Sequence, residues 1–160
     1  MGSGKSTLGN KLANKLNLPF LDLDLLIEEQ EHSTIAEIFN QKGEDYFRAL
    51  ETTILKDSVV SNPKFVFSLG GGTPCFNNNM EFINENGTSI YLKYNAGILA
   101  SRLLVAKQQR PLIADKNEEE LKQYVEKLLT EREPFYNQSK IIVEGMNITA
   151  NAIIKNLNEY

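Results

Sequence analysis

A parallel α/β fold with helices on both faces of its sheet is predicted, and three observations predict it. Apolar runs of strand length alternate along the chain with segments whose apolar residues recur every three or four positions. The run at 65–69 (FVFSL) is apolar without alternation and ends in three glycines, as expected of a strand covered on both faces. Gly4-Lys5-Ser6 opens directly into a leucine-striped segment, the arrangement of a phosphate-binding turn at a helix start.

The elements follow in order. Residues 5–16 form a helix with Leu8, Leu12 and Leu16 on one buried stripe, ended by Asn17 and Pro19. Phe20-Leu21-Asp22 is a short strand. Thr34 and Glu37 form a capping box ahead of Ile35, Ile38 and Phe39. Gly43 punctuates the chain, and a longer helix covers 44–60. Strands follow at 65–69 and 89–92. Asn95 caps a helix carrying Ile98, Leu99 and Arg102. Residues 105–116 are a polar loop. Residues 118–132 are a helix with Leu121, Val125, Leu128 and Leu129 inward, and Pro134 stops it. Residues 140–143 form the last strand, and Thr149 caps a final helix with Ile153, Ile154 and Leu157 inward.

The 160 residues suit one compact domain. A net charge of −4 leaves no basic surplus for a nucleic-acid backbone. No apolar run approaches the ~20 residues of a membrane span, and no signal peptide opens the chain. The single cysteine, Cys75, rules out an intramolecular disulfide and fits a reducing cytoplasm. A phosphate-binding protein this acidic must gather its cations in one place.

Gly2-Ser3-Gly4-Lys5-Ser6-Thr7 carries the end of a P-loop. Its glycines free backbone N–H groups for phosphate oxygens, Lys5 reaches the β- and γ-phosphates, and Ser6 offers its hydroxyl to Mg²⁺. The full pattern is Gly, four residues, then Gly-Lys-Ser/Thr. Three residues precede Gly4, so the first glycine and the strand that feeds the loop are absent. Either the start is internal to a longer protein, or the protein lacks its central strand, in which case phosphate binding is impaired and the sheet has an open slot; a lost segment of roughly ten residues is favoured.

Asp22 and Asp24, two apart on a strand end, would face one site, one supporting Mg²⁺ through water and the other a substrate hydroxyl. The competing reading is a helix N-cap before Leu25-Leu26-Ile27. Arg48 offers a planar fork for a carboxylate, with Glu51 one turn on to hold it; a surface ion pair is the plainer alternative. Gly70-Gly71-Gly72 at a strand end suggests close approach of a ligand to the backbone. Arg110 lies in the polar loop, where a mobile arginine can close over phosphates. Arg132 sits near a helix C-terminus, which is reason enough for a cation, or else forms a second anion clamp. His32 reads as exposed and without a role, Cys75 as incidental, and Tyr136 as packing.

Together GSGKST (2–7), DLD (22–24), FRALE (47–51), LGGGT (69–73), RPLI (110–113) and REPFY (132–136) resemble shikimate kinase in order and spacing. The resemblance implies a P-loop kinase fold of five parallel strands with a lid loop at 105–116, one kinase domain over 1–160, and a cytoplasmic monomer. It implies transfer of the γ-phosphate of ATP to the 3-hydroxyl of shikimate, with Mg²⁺, in the route to aromatic amino acids. By the same resemblance Gly2, Ser3, Gly4, Lys5, Ser6 and Thr7 bind ATP phosphates, with Ser6 and, through water, Asp22 on the metal. Asp24 is the base and binds shikimate hydroxyls, and Lys5 and Arg110 serve catalysis. Arg48 and Arg132 clamp the shikimate carboxylate, Gly70, Gly71 and Gly72 hold the ring, and Arg102 and Asn147 lie near adenine. The rival readings are another small P-loop kinase, of gluconate or nucleotide type, and a degenerate relative that binds without turnover.

Overall fold

The computed structural model describes residues 2–105 and 117–160. Helix α1 (Lys5–Leu16) is entered through Gly4, whose φ of 74° lies in the left-handed region that costs glycine nothing, and it closes on Asn17 in the same conformation. Leu8 and Leu12 of its stripe are buried, while Leu16, in the last turn, is 36% exposed. Strand β1 (Phe20–Asp22) leads straight into α2 (Leu23–Glu31). Thr34 makes the expected capping box with Glu37 and starts α3 (Ile35–Ser61), which kinks at Gly43 (φ 82°, ψ 172°). Strand β2 (Val66–Ser68), a single 3₁₀ turn (Thr73–Cys75), α4 (Asn79–Asn86) and β3 (Ile90–Lys93) follow. Asn95 accepts a hydrogen bond from the Ile98 N–H at 2.9 Å at the start of α5 (Ala96–Val105). A capping box of Asn117 and Glu120 opens α6 (Glu118–Tyr136). Strand β4 (Ile141–Glu144) and α7 (Ala150–Glu159), capped by Thr149, complete the described chain.

The strands pair in parallel. β1 lies on β2 with Phe20 opposite Val66 and Asp22 opposite Ser68, and β3 lies on β4 with Ile90 opposite Ile141. The predicted α/β class holds. The two pairs do not form one ladder, however, and the described residues supply four strands where the resemblance implies five. Between β2 and β3 lies an apolar cavity of about 910 Å³, bordered by Val66, Phe67, Ile90 and Leu92 and by Leu12 and Leu128 from the helices.

The apolar stripes gather into three buried clusters. Leu8 and Leu12 of α1 pack with Ile141, Val143 and Ile153. Leu23 and Ile27 of α2 pack with Ile38, Phe47, Ile54 and Leu55 of α3. Leu99 and Leu103 of α5 pack with Leu121 and Val125 of α6. Among the described residues no helix is long and apolar enough to cross a membrane.

Two expectations need correction. The aspartate pair does not ride on one strand, because β1 ends at Asp22 and Asp24 already belongs to α2. Pro134 does not stop α6, which continues to Tyr136. A proline there removes one N–H from the final turn, and the helix closes instead through the Asn137 N–H on the Glu133 carbonyl at 2.8 Å. Arg132 consequently lies a turn inside the helix, and the cation-at-the-terminus explanation for it weakens.

Ile27, with no exposed surface, locks α2 to α3. Truncation of Ile27 to alanine is expected to lower unfolding free energy by about 2–5 kcal/mol, read by urea denaturation.

Candidate active site

The first turn of α1 carries no acidic residue and no side-chain cap, so its N–H groups remain directed outward beside Lys5. Gly2, Ser3 and Gly4 lead into this turn. The Gly2 backbone lies against α5, where an added Cβ would meet the Leu99 carbonyl at 3.1 Å. Ser6 donates its hydroxyl to Asp22 Oδ2 at 2.5 Å, and its Oγ lies 3.3 Å from that of Ser68. These are hard oxygen donors, and Asp22 is buried. Among the described residues no cluster of three His, Cys, Asp or Glu could cage a metal. One carboxylate and one hydroxyl fit Mg²⁺, which prefers oxygen, keeps much of its water and draws remaining ligands from phosphate.

Asp22 is at once part of this oxygen group and the N-cap of α2, accepting from the Asp24 N–H at 3.1 Å. Both readings of the aspartate pair thus describe the same residue. The cap turns the chain so that Asp24 projects from the first helical turn, its Oδ2 3.5 Å from Lys5 Nζ.

The glycine triplet is shaped by close approach, but of the protein's own side chains. A Cβ on Gly70 would lie 2.9 Å from Thr73 Oγ1, 3.0 Å from Glu51 Oε1 and 3.1 Å from Asp24 Oδ1. A Cβ on Gly72 would lie 2.7 Å from Arg48 Nη1. The Arg48 guanidinium therefore closely approaches Gly72, with the Phe76 ring centroid 4.1 Å from its Cζ. Arg48 donates from Nη1 to Glu51 at 2.9 Å and from Nη2 to Glu44 at 3.1 Å. Its partner Glu51 is 1% exposed, so this is no ordinary surface pair.

Arg132 approaches from α6. It lines the same cavity as Lys5, Gly70 and Gly71. Burial pushes the Tyr136 hydroxyl pKa up, and the Arg132 charge beside it pulls it back. Tyr136 does more than pack: its hydroxyl donates to the Gly71 carbonyl. Burial likewise pushes the Cys75 thiol up, opposed by Arg132 and Arg48, which places that thiol within reach of both guanidiniums.

Arg102 spans the opposite rim. It donates to the carbonyls of Ser3 (3.4 Å) and Met146 (3.3 Å), with its Cζ 4.3 Å from the Tyr94 ring centroid. Asn147, next to Met146, is exposed in a bend. His32 is exposed at the end of α2. Arg110 lies outside the described residues, as does most of the segment expected to form the lid. Sequence reasoning missed Thr73, Ser68 and the Tyr136 hydroxyl. Thr73 stood inside the LGGGT motif, but nothing in its spacing says that its side chain turns back onto α3.

The chain was compared with known proteins. The family model "Shikimate kinase" matches residues 1–159. The shikimate kinase of Azobacteroides pseudotrichonymphae is 46% identical over 157 residues, covering 98% of this chain and 92% of that one. The crystal structure of shikimate kinase from Bacteroides thetaiotaomicron superposes with a TM-score of 0.90 at 39% identity, covering 99% of this chain and 92% of that one. Shikimate kinase from Acinetobacter baumannii in complex with shikimate superposes with a TM-score of 0.85 at 32% identity, covering 99% and 87%.

Cys75 is the sole cysteine, so its alkylation reports on this locus alone. The rate of reaction with iodoacetamide should rise with pH to a midpoint above that of an ordinary thiol, because burial disfavours the thiolate. Arg48→Ala and Arg132→Ala should each move that midpoint further up, since each removes a cation that favours the thiolate. Unmoved midpoints would show that the arginines do not converge there.

Proposed function

The chain belongs to the shikimate kinase family, and from that premise we propose how its cleft divides the work. It is an ATP-dependent kinase that transfers the γ-phosphate of ATP to the 3-hydroxyl of shikimate. One observation carries the division proposed here. The Asp24 carboxylate joins two half-sites, with Oδ2 3.5 Å from the phosphate-loop lysine and Oδ1 bordering Gly70 of the triplet that Arg48 closely approaches.

On the donor side, the N–H groups at the start of α1 and the Lys5 ammonium hold the phosphates of ATP, with Gly2, Ser3, Gly4 and Thr7 shaping the turn. Ser6 and Asp22 would hold Mg²⁺, which neutralises charge on the phosphate oxygens. Arg102, fixed across the Ser3 and Met146 carbonyls and stacked on Tyr94, borders the adenine side, near Asn147. Arg110 adds a cation to the phosphates.

On the acceptor side, Arg48 and Arg132 hold the shikimate carboxylate, and the backbone of Gly70, Gly71 and Gly72 holds the ring hydroxyls. Asp24 accepts the proton of the 3-hydroxyl as its oxygen bonds to the γ-phosphorus; the bond from that phosphorus to the β-γ bridging oxygen breaks, and ADP leaves. Lys5 stabilises the Asp24 carboxylate before phosphate binds and the departing phosphate charge afterwards. Such a reaction is governed by positioning and charge neutralisation. We place the whole in one domain over 1–160, acting as a cytoplasmic monomer. A nucleotide-type kinase has no acceptor carboxylate for two such arginines to hold beside the triplet.

Steady-state kinetics test the assignment. Arg48→Ala and Arg132→Ala should each raise the KM for shikimate about 10- to 100-fold, the loss of a charge-assisted pair of hydrogen bonds, and leave the KM for ATP nearly unchanged. An equal loss for both substrates would contradict the clamp. Asp24→Asn should lower kcat by about 10²–10⁴ while ATP binding, followed by fluorescent-nucleotide displacement, persists.

A further inference from the structure

We propose that Thr73 is a positioning residue for substrate recognition: its hydroxyl sets the plane of the Glu51 carboxylate and thereby the direction in which Arg48 presents its fork. The proposal rests on Arg48 being a carboxylate clamp.

The geometry begins with Glu51, a carboxylate 1% exposed on α3. Its oxygens have separate tasks. Oε2 accepts from Arg48 Nη1 at 2.9 Å, and Oε1 accepts from Thr73 Oγ1 at 2.6 Å. The terminal torsion of a glutamate is soft and broad, with no staggered well to hold it. One hydrogen bond to arginine leaves the carboxylate free to swing about that torsion. A second, from a fixed donor on the other oxygen, removes the freedom. With Glu44 accepting from Nε at 3.2 Å and Nη2 at 3.1 Å on the outer, exposed edge, Glu51 fixes the inner edge of the fork, beside Gly72.

Thr73 is built to be a fixed donor. It has no exposed surface. Its N–H donates to the Gly70 carbonyl at 3.2 Å, and its own carbonyl accepts from Asn79 Nδ2 at 3.0 Å. Asn79 is itself without exposed surface and also donates to Thr52 Oγ1 at 3.1 Å on α3. The 3₁₀ turn that carries Thr73 is thus tied to the triplet on one side and to the arginine's own helix on the other. Any shift of the triplet moves Thr73, Glu51 and Arg48 together, so the ring cradle and the carboxylate clamp keep one relative geometry. Thr73 has no part in proton or phosphate transfer.

Five variants of the full chain decide the matter: Thr73→Val, Thr73→Ala, Thr73→Ser, and Arg48→Ala with and without Thr73→Val. Valine and alanine both lack the hydroxyl, so alanine serves if the valine variant does not fold, and serine differs from alanine by the hydroxyl alone. The KM for shikimate should rise about tenfold in the variants without hydroxyl and return to within about twofold in Thr73→Ser, with the KM for ATP constant and kcat changed much less. In the Arg48→Ala background, Thr73→Val should add almost nothing, because the two act through one contact. An unchanged shikimate KM in both hydroxyl-free variants, equal losses for shikimate and ATP, or a full additional loss on top of Arg48→Ala would overturn the proposal. If Arg48→Ala itself leaves the shikimate KM unchanged, the clamp reading fails and the positioning role falls with it. If Arg48→Ala raises that KM and the hydroxyl-free variants do not, only the role of Thr73 falls.

Discussion

A carboxylate taken out of water organises the acceptor side of this cleft. Glu51 lies in the α2–α3 core region with 1% of its surface exposed, and a lone ion so placed is penalised by several kcal/mol unless its oxygens are occupied. Arg48 and Thr73 occupy them. Much of the local sequence follows from that requirement. Arg48 must reach inward from α3, so it lies over the backbone at 72, and a side chain there would collide with it. Position 70 faces Thr73, Glu51 and Asp24 at about 3 Å and tolerates no side chain either. The triplet exists because charged groups crowd onto a strand end, and the same crowding creates the place where an anionic substrate can be read.

The donor side answers a different constraint. The chain is acidic overall, with a net charge of −4, yet must hold a polyanion. It does so with a few cations fixed at short range. Lys5, Arg102 and the outward N–H groups of α1 stand on one flank, and Arg48 and Arg132 on the other, with Asp24 between. Short-range placement of this kind is insensitive to the sign of the remaining surface, because charges beyond about 8–10 Å are screened at ordinary salt. The cation of the donor flank and the carboxylate of the acceptor flank meet directly in the Lys5–Asp24 pair, which makes the two flanks one site.

Much of this was legible in the residues. The caps at Thr34, Asn95 and Thr149 and the break at Gly43 lay where local rules put them, since those rules concern neighbours a few residues apart. Arg48 with Glu51 was legible for the same reason. Asp24 was found, but its geometry was misread: period-two alternation assumes a strand that continues, and the N-cap at Asp22 converts it to helix one residue later. Pro134 was misread because a proline near a helix end removes only one bond. Helix α4 and the 3₁₀ turn escaped notice, being short and without a side-chain cap, and α2 was read only as the alternative to a strand-borne aspartate pair. Thr73 onto Glu51 and Tyr136 onto Gly71 were invisible for a deeper reason. They join residues 22 and 65 positions apart, and no local rule reaches that far. The cavity between β2 and β3 belongs to the same class, a property of how strand pairs are arranged in space.

The central claim is that Asp24 lies between a bound nucleotide and a clamped hydroxy acid, so that one phosphate moves to one hydroxyl. Phosphorus NMR of the purified chain with MgATP and shikimate tests it most directly. The account predicts that a phosphomonoester resonance, assigned to shikimate 3-phosphate by its coupling to the ring proton at C3, grows in step with ADP and is absent when shikimate is omitted. ATP breakdown to inorganic phosphate at the same rate with and without shikimate, with no phosphomonoester formed, would contradict it.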